Sequence, residues 1–260
     1  MEQVGKKMYS NDMKTEFEIY NPGGNITAII TTKLTAKEAL IVSQEIMTQY
    51  PEVEQVAMIL DVYNDVCTFK MVGGEFCGNA CRCVAEFMRR NYGFGKSKLV
   101  INDIKLLGTS NNNESEITLN KSDLIEQVKN VNGNYCVFMK GITHIIIPNK
   151  GDVKLAIQIK SDYEKQNKIG DALGVMFLDN NSINPFVWVE RAKTFFNETG
   201  CLSGSIAAAI FIGKNETTLT QPSWADYSIT IKDNLITAKG PISFVAKNTL
   251  GKMNGSGGRI

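Results

Sequence analysis

The sequence predicts an α+β fold built as two lobes of like construction. Three observations carry this. A cysteine opens a small-residue helix at Cys77-Gly78-Asn79-Ala80, and a second does so at Cys201-Leu202-Ser203-Gly204, about half the chain later. Around each cysteine the pattern runs strands, helix, strands, cysteine helix, strands. Mixed strands and helices without strict alternation suit an α+β arrangement.

The bulk properties leave room for this. The chain has 260 residues, 43% hydrophobic and 21% charged, enough for a substantial core. Its net charge of +1 offers no electrostatic basis for binding nucleic acid or an acidic membrane. No apolar run reaches the ~18 residues of a membrane span. The first twelve residues are polar and lack the apolar segment of a signal peptide, so a cytoplasmic protein is expected.

Taken in order, residues 16–20 alternate as a strand, and Asn21-Pro22-Gly23-Gly24-Asn25 has strong turn chemistry. Residues 26–32 form a β-branched strand. A helix over 35–49 starts at a Thr35 cap with Glu38 three residues on, and Ala39, Leu40, Val42, Ile46 and Met47 supply its apolar face. Strands follow at 54–63 and 66–72, then the Cys77 helix, stopped at Gly93. Residues 99–103, 116–119 and 124–128 are short strands, with a loop at 110–114.

The second half opens with strands 135–139 and 144–148 about a turn at 140–143. A helix over 153–166 turns Leu155, Ala156 and Ile159 inward. Strands 172–178, 185–190 and 193–196 precede the Cys201 helix, which runs to about 212, and strands 227–231, 235–237 and 242–246 complete the fold. The lobes are expected at 14–128 and 129–239, with a strand in 240–250 returning to the first; 1–13 and 251–260 are expected to be loose.

Cys77 and Cys201 carry the chemistry. At a helix N-terminus the free N–H groups and the dipole favour negative charge. A thiolate there is expected to have a lowered pKa, with a carboxylate ligand beside it. Two such cysteines facing across a cleft can invert an α-carbon. One takes the proton as thiolate while the other delivers a proton as thiol. Cys67 and Cys136, inside apolar strands, are read as core, and Cys81 and Cys83 as helix packing.

Disulfides do not suit a chain without a secretion signal. Structural zinc does not suit the Cys77, Cys81, Cys83 spacing with one histidine, His144. His144 is read as structural, on a strand edge. A cysteine protease using it as base would leave the second cysteine site unexplained. No phosphate loop, dinucleotide fingerprint, metal cluster or pyridoxal-phosphate motif stands out, so no cofactor and no metal are expected.

At these residues the chain resembles the diaminopimelate epimerase family of cofactor-independent racemases and epimerases. Cys77-Gly78-Asn79-Ala80-Cys81-Arg82-Cys83 looks like that family's Cys-Gly-Asn-Gly-Ala-Arg-Cys. Asn25, Glu54-Gln55, Lys140-Gly141-Ile142-Thr143-His144 and Cys201-Leu202-Ser203-Gly204 match weaker family segments in the same order, over most of residues 16–246. The segments that hold the distal end of diaminopimelate are shortened at Met71-Val72-Gly73-Gly74-Glu75-Phe76 and at Phe195-Phe196-Asn197-Glu198-Thr199. This argues against diaminopimelate as substrate. Val72-Gly73-Gly74-Glu75-Phe76-Cys77 and Phe186-Val187-Trp188-Val189 look closer to the histidine racemase branch, which supplies D-histidine for opine-type metal chelators.

The resemblance implies two pseudo-symmetric lobes, each a mainly antiparallel sheet wrapped around a central helix, with the active site in the cleft between. It implies a racemase of a free amino acid, best L-histidine, with Cys77 and Cys201 as acid and base. Backbone N–H groups of Gly78, Asn79, Leu202 and Ser203 would bind the carboxylate, Asn25 and Glu198 the ammonium group, and Glu54 a basic or imidazole side chain. A phenazine-type isomerase, working through a carboxylate, and a non-catalytic amino-acid-binding protein are the competing readings. The partners expected are a small amino-acid substrate and a second copy of the chain in a homodimer.

Overall fold

A computed structural model describes residues 14–168 and 170–250. The loose termini expected at 1–13 and 251–260 lie outside the described residues. The first half comprises β1 (Thr15–Asn21), β2 (Thr27–Ile30), α1 (Ala36–Gln49), β3 (Gln55–Tyr63), β4 (Val66–Met71), α2 (Gly78–Tyr92), β5 (Lys96–Ile101), β6 (Ile104–Ser110) and β7 (Glu114–Asn120). A single turn, α3 (Lys121–Leu124), leads into β8 (Ile125–Val131), β9 (Asn134–Met139), β10 (Ile142–Ile147), α4 (Val153–Glu164), β11 (Ala172–Asp179), β12 (Ser182–Val189) and β13 (Thr194–Asn197). Then come α5 (Leu202–Ile212), β14 (Glu216–Thr220), β15 (Asp226–Lys232), β16 (Leu235–Pro241) and β17 (Ser243–Leu250).

The two halves repeat one topology. β2 and β3 pair in parallel across α1, and β10 and β11 do so across α4. Each second strand then makes an antiparallel hairpin, β3 with β4 and β11 with β12. A parallel step across the cysteine helix follows: β4 to β5 over α2, and β12 to β14 over α5. Antiparallel meanders β5–β6–β7 and β14–β15–β16 close each half. β7 and β16 pair antiparallel and stitch the halves together, and β17 returns to lie against β1. The fold is thus α+β, mostly sheet, in two lobes.

The local causes are readable in each helix. α1 carries a full capping box: the Glu38 N–H donates to Thr35 Oγ1, and the Glu38 carboxylate accepts from the Thr35 N–H at 2.8 Å. α2 is wrapped by sheet, and every residue from Gly78 to Met88 is buried. It stops at Gly93, in the left-handed region at φ 79°, with Arg89 and Arg90 in the last turn complementing the dipole. α5 is apolar on all sides, as a helix surrounded by protein must be, and Leu202 to Ala209 are buried.

Burying α2 means burying charge. Arg82 is 0% exposed and has no carboxylate partner among the described residues. Instead its guanidinium donates to carbonyls of Pro22, Ser115 and Pro241 and to the Asn79 side chain, and lies 4.8 Å over the Tyr227 ring. Those partners come from the first turn, β7, the end of β16 and β15, so one cation ties the two lobes at α2.

Four sequence expectations change. β6 runs through Ile104–Ser110 and β14 through Glu216–Thr220, two strands that the sequence reading passed over. The turn before β6 is made by Asn102 and Asp103 at positive φ, without a glycine to announce it. Leu155 is exposed rather than inward. The Asp152 cap accepts from the Leu155 N–H and sets the phase of α4, so that Ala156 and Tyr163, two turns apart, face the core. His144 is not on a strand edge: β10 is paired on both sides, to β9 and β11, and the imidazole is fully buried.

Candidate active site

Both cysteines occupy the N-cap position, and both in extended backbone. Cys77 precedes α2 at φ −129°, and Cys201 precedes α5 at φ −134°. Each sulfur accepts from the backbone N–H three residues on: Ala80 at 3.3 Å and Gly204 at 3.4 Å. The sulfurs therefore do what a serine or aspartate does at other helix starts. The helix starts abut. A Cβ at Gly78 would meet Leu202 Cδ2 at 3.0 Å, which is why a glycine suits this approach, while one at Gly204 would meet Met176 Sδ of β11 at 2.4 Å, so α5 needs a glycine to lie against that strand.

Cys77, Cys201, Asn25, Glu54, Asn79, Glu198, Leu202 and Ser203 all line one cavity of about 40 Å³ between the lobes, and Gly78, between Cys77 and Asn79 in the chain, packs against Leu202. The sequence-expected site residues thus come together. The first N–H groups of α2 and α5, on Gly78, Asn79, Leu202 and Ser203, point out of the helix starts with no intrahelical acceptor. The Asn79 side chain is structural: it donates to Gly200 O at 3.0 Å and accepts from Arg82.

Several residues at the site were not singled out by sequence. Cys77 donates its S–H to Gln55 Oε1 at 2.9 Å, and Gln55 is held in turn by Thr27. The Cys201 N–H donates to Gln221 Oε1 at 2.9 Å. Ser203 Oγ lies 3.7 Å from Cys201 Sγ and 3.0 Å from His144 Nε2. Thr199 bridges the lobes. Its N–H and hydroxyl donate to the Glu54 carboxylate, and its Oγ1 accepts from the Asn25 N–H at 2.7 Å. Of these, Ser203 was expected from the sequence and Gln55, Thr199 and His144 stand in segments that the resemblance marked, whereas Thr27 and Gln221 had no such signal.

The electrostatics reverse one expectation. Both thiols are pushed well above the ordinary cysteine range, not below it, chiefly by burial. The helix-start N–H groups oppose this but do not outweigh the desolvation, and the charge of Glu198 adds to the rise at both sulfurs. Burial also pushes Glu198 up to about 8, helped by Glu54 and Glu75 and opposed by hydrogen bonding to Cys201 and Asn25. Glu75, likewise buried, rises to about 7. His144 is held down to about 3 by burial and is therefore neutral.

Three buried acceptors on this cavity have no partner: Asn25 Oδ1, Glu198 Oε2 and Glu75 Oε2. Buried acceptors left unpaired cost about 1–3 kcal/mol each, which marks a place prepared for donors. No group of three or more His, Cys, Asp or Glu side chains arranged for a metal occurs among the described residues. No described helix is long and apolar enough to cross a membrane.

The arrangement has known counterparts. The sequence profile of the histidine racemase CntK N-terminal domain matches residues 14–223. A histidine racemase of Fusobacterium nucleatum subsp. nucleatum is 29% identical over 90% of this chain and 96% of its own. Among solved structures, a hydroxyproline epimerase from Agrobacterium vitis superposes with a TM-score of 0.61 at 7% identity, covering 92% of this chain and 91% of its own. A phenazine biosynthesis PhzF-family protein from Enterococcus faecalis does so with a TM-score of 0.58 at 12% identity, covering 92% and 99%. At such identities the solved structures speak to the fold alone.

Proposed function

Since the chain belongs to the histidine racemase family, we propose that it interconverts L- and D-histidine by proton transfer between Cys77 and Cys201, without a cofactor. The observation that carries this is the pair of cysteines, each capping a buried helix and both lining one interlobe cavity. The Fusobacterium nucleatum relative, a histidine racemase, supports histidine as the substrate. The shortened segment before Cys77 supports it too, since it lacks the residues that would hold a distal amino-acid group.

The substrate carboxylate lies against the N–H groups of Gly78, Asn79, Leu202 and Ser203, where two helix dipoles converge. Its ammonium group donates to Asn25 Oδ1 and Glu198 Oε2, the two unpaired acceptors beside Cys201. That positive charge lowers the neighbouring thiol and carboxyl pKa values and counters the desolvation that holds them up. One cysteine, as thiolate, takes the α-proton. The electron pair stays on the α-carbon, stabilised by the helix N–H groups on the carboxylate. The other cysteine, as thiol, gives its proton to the opposite face. The cavity of about 40 Å³ has room for a few waters at most, so the lobes part for entry and close for chemistry.

The reading extends to a cytoplasmic enzyme, consistent with six free cysteines, to a homodimer, and to D-histidine as a precursor of an opine-type metal chelator. The test incubates the purified protein with single L-amino acids in D2O and follows α-deuterium and optical rotation. Histidine should exchange and racemise. A protein that exchanges no amino acid overturns the racemase reading; one that prefers another amino acid overturns histidine.

A further inference from the structure

Resting on that reading, we infer that Glu75 is the residue that recognises the substrate side chain. Its carboxyl would receive a ring N–H of the imidazole, making it the specificity-determining contact of the cleft.

The inference follows from which acceptors are left. Three carboxylates line the cavity: Glu54, Glu75 and Glu198. Glu54, the sequence-expected receptor of the side chain, is already engaged by the N–H and hydroxyl of Thr199 and acts as a tie between lobes. Glu198 lies beside Cys201 and Asn25, where the reacting α-carbon and its ammonium group belong. Glu75 remains. It is 7% exposed, and its Oε2 has no hydrogen-bond partner.

The position of Glu75 is held from several sides. The Gly74 carbonyl accepts from Asn102 Nδ2 at 2.8 Å. The turn at Gly141 packs on the Glu75 backbone, where a Cβ would meet Phe76 N at 3.0 Å and Glu75 Cα at 3.1 Å. Oε2 packs so closely to Gly73 that a Cβ there would meet it at 2.2 Å. The charged groups acting on Glu75 are Asp171, just before β11, and Arg191, from the turn after β12, with Cys77 two residues on and Glu198 from the segment before α5.

The same cavity is lined by apolar Val72, Val187, Val189 and Phe196, and Val189 packs with the Glu75 carboxyl against Gly73. A planar ring with one donor edge suits an apolar slot that ends in a single buried acceptor. Such a site rejects analogues lacking the donor, because the acceptor is then left unpaired. Imidazole also offers an acceptor nitrogen, so the pairing survives whether Glu75 carries its proton or not.

The experiment compares L-histidine with its two ring N-methyl derivatives on wild type, Glu75→Gln and Glu75→Leu. On wild type, methylation of the recognised nitrogen should lower kcat/KM about 100-fold, and methylation of the other nitrogen much less. Glu75→Leu should raise KM for histidine about 100-fold and no longer distinguish the methylated forms, while Glu75→Gln keeps part of the discrimination. Glu75→Leu with histidine KM within twofold of wild type overturns the inference, as does undiminished discrimination in that variant. Should Glu75→Leu not fold, the N-methyl series on wild type and on the isosteric Glu75→Gln decides: equal rates on all three substrates, or unchanged discrimination in Glu75→Gln, overturn it. A wild type active on histidine separates these outcomes from failure of the racemase reading, under which wild type itself is inactive.

Discussion

The two cysteine sites share a backbone and differ in what surrounds the sulfur. Cys77, 8% exposed, donates to a neutral amide oxygen, that of Gln55. Cys201, 3% exposed, sits beside the carboxyl of Glu198 and the hydroxyl of Ser203, which is itself bonded to neutral His144. The helices behind them differ as well. α2 buries Arg82 and Glu86, whereas α5 buries only Ser203 and Ser205 among aliphatic residues. A repeated frame has thus been given two distinct thiols, one hydrogen-bonded to an amide and one hydrogen-bonded to a titrating acid. For a two-base inversion this is useful: the faces are geometrically alike, yet the resting protons need not be shared equally.

The largest expected effect breaks the equivalence of the two thiols outright. Cys77→Ser and Cys201→Ser should each lower racemisation at least about 1,000-fold, since a hydroxyl is far too weak an acid to replace either proton carrier. Loss of chirality measured by circular dichroism reads this. A Cys201→Ser enzyme at wild-type rate would end the two-base scheme and leave the second lobe as scaffold.

Smaller, and confined to stability, is the contrast behind the sulfurs. Arg82→Met removes a buried donor shared by the carbonyls of Pro22, Ser115 and Pro241 and should cost about 3 kcal/mol. Ser205→Ala removes a hydroxyl that donates to Cys201 O and accepts from Gln221, and should cost about 1 kcal/mol. Urea midpoints measure both, and equal losses would remove the asymmetry between α2 and α5.

The mildest effect concerns pH. Glu198 and Glu75 are raised to about 8 and about 7, from an ordinary 4.5. Between these values the folded protein holds more protons than the unfolded chain. Their contribution to stability is therefore full below about pH 4.5 and is lost as pH rises through about 7 and 8. Without substrate, Glu198→Gln should flatten the fall of the urea midpoint over that window. A slope equal to wild type would mean that Glu198 is already ionised in the closed cleft.

Much of this was legible in one dimension. Small residues after Cys77 and Cys201 make poor core but good close approach, and that chemistry announced two helix starts. The 22–25 turn and the Thr35–Glu38 cap were local enough to read directly. Glu75 was readable only as a residue of a shortened segment, and Gln55 only as the neighbour of Glu54. Thr199 likewise was readable only as a residue of a shortened segment, and Gln221 and Tyr227 carried no signal, because their partners lie far along the chain, as when Tyr227 donates to Pro22 O at 3.0 Å. β6 and β14 escaped for a similar reason: their register is set by sheet neighbours, and the turns at Asn102-Asp103 before β6 and at Trp224 after β14 take positive φ without a glycine.

The sequence by itself determined the repeated α+β frame and which two cysteines sit at helix starts, because helix capping and side-chain periodicity are short-range. Only the tertiary structure decided the state of those cysteines. A helix terminus favours a thiolate, but burial between two closed lobes costs the charge more than the helix start returns. It also decided which carboxylate is free, taking Glu54 for the interlobe tie and leaving Glu75 unpaired. Desolvation and partner choice are sums over groups from both halves of the chain, and no single stretch of sequence contains them.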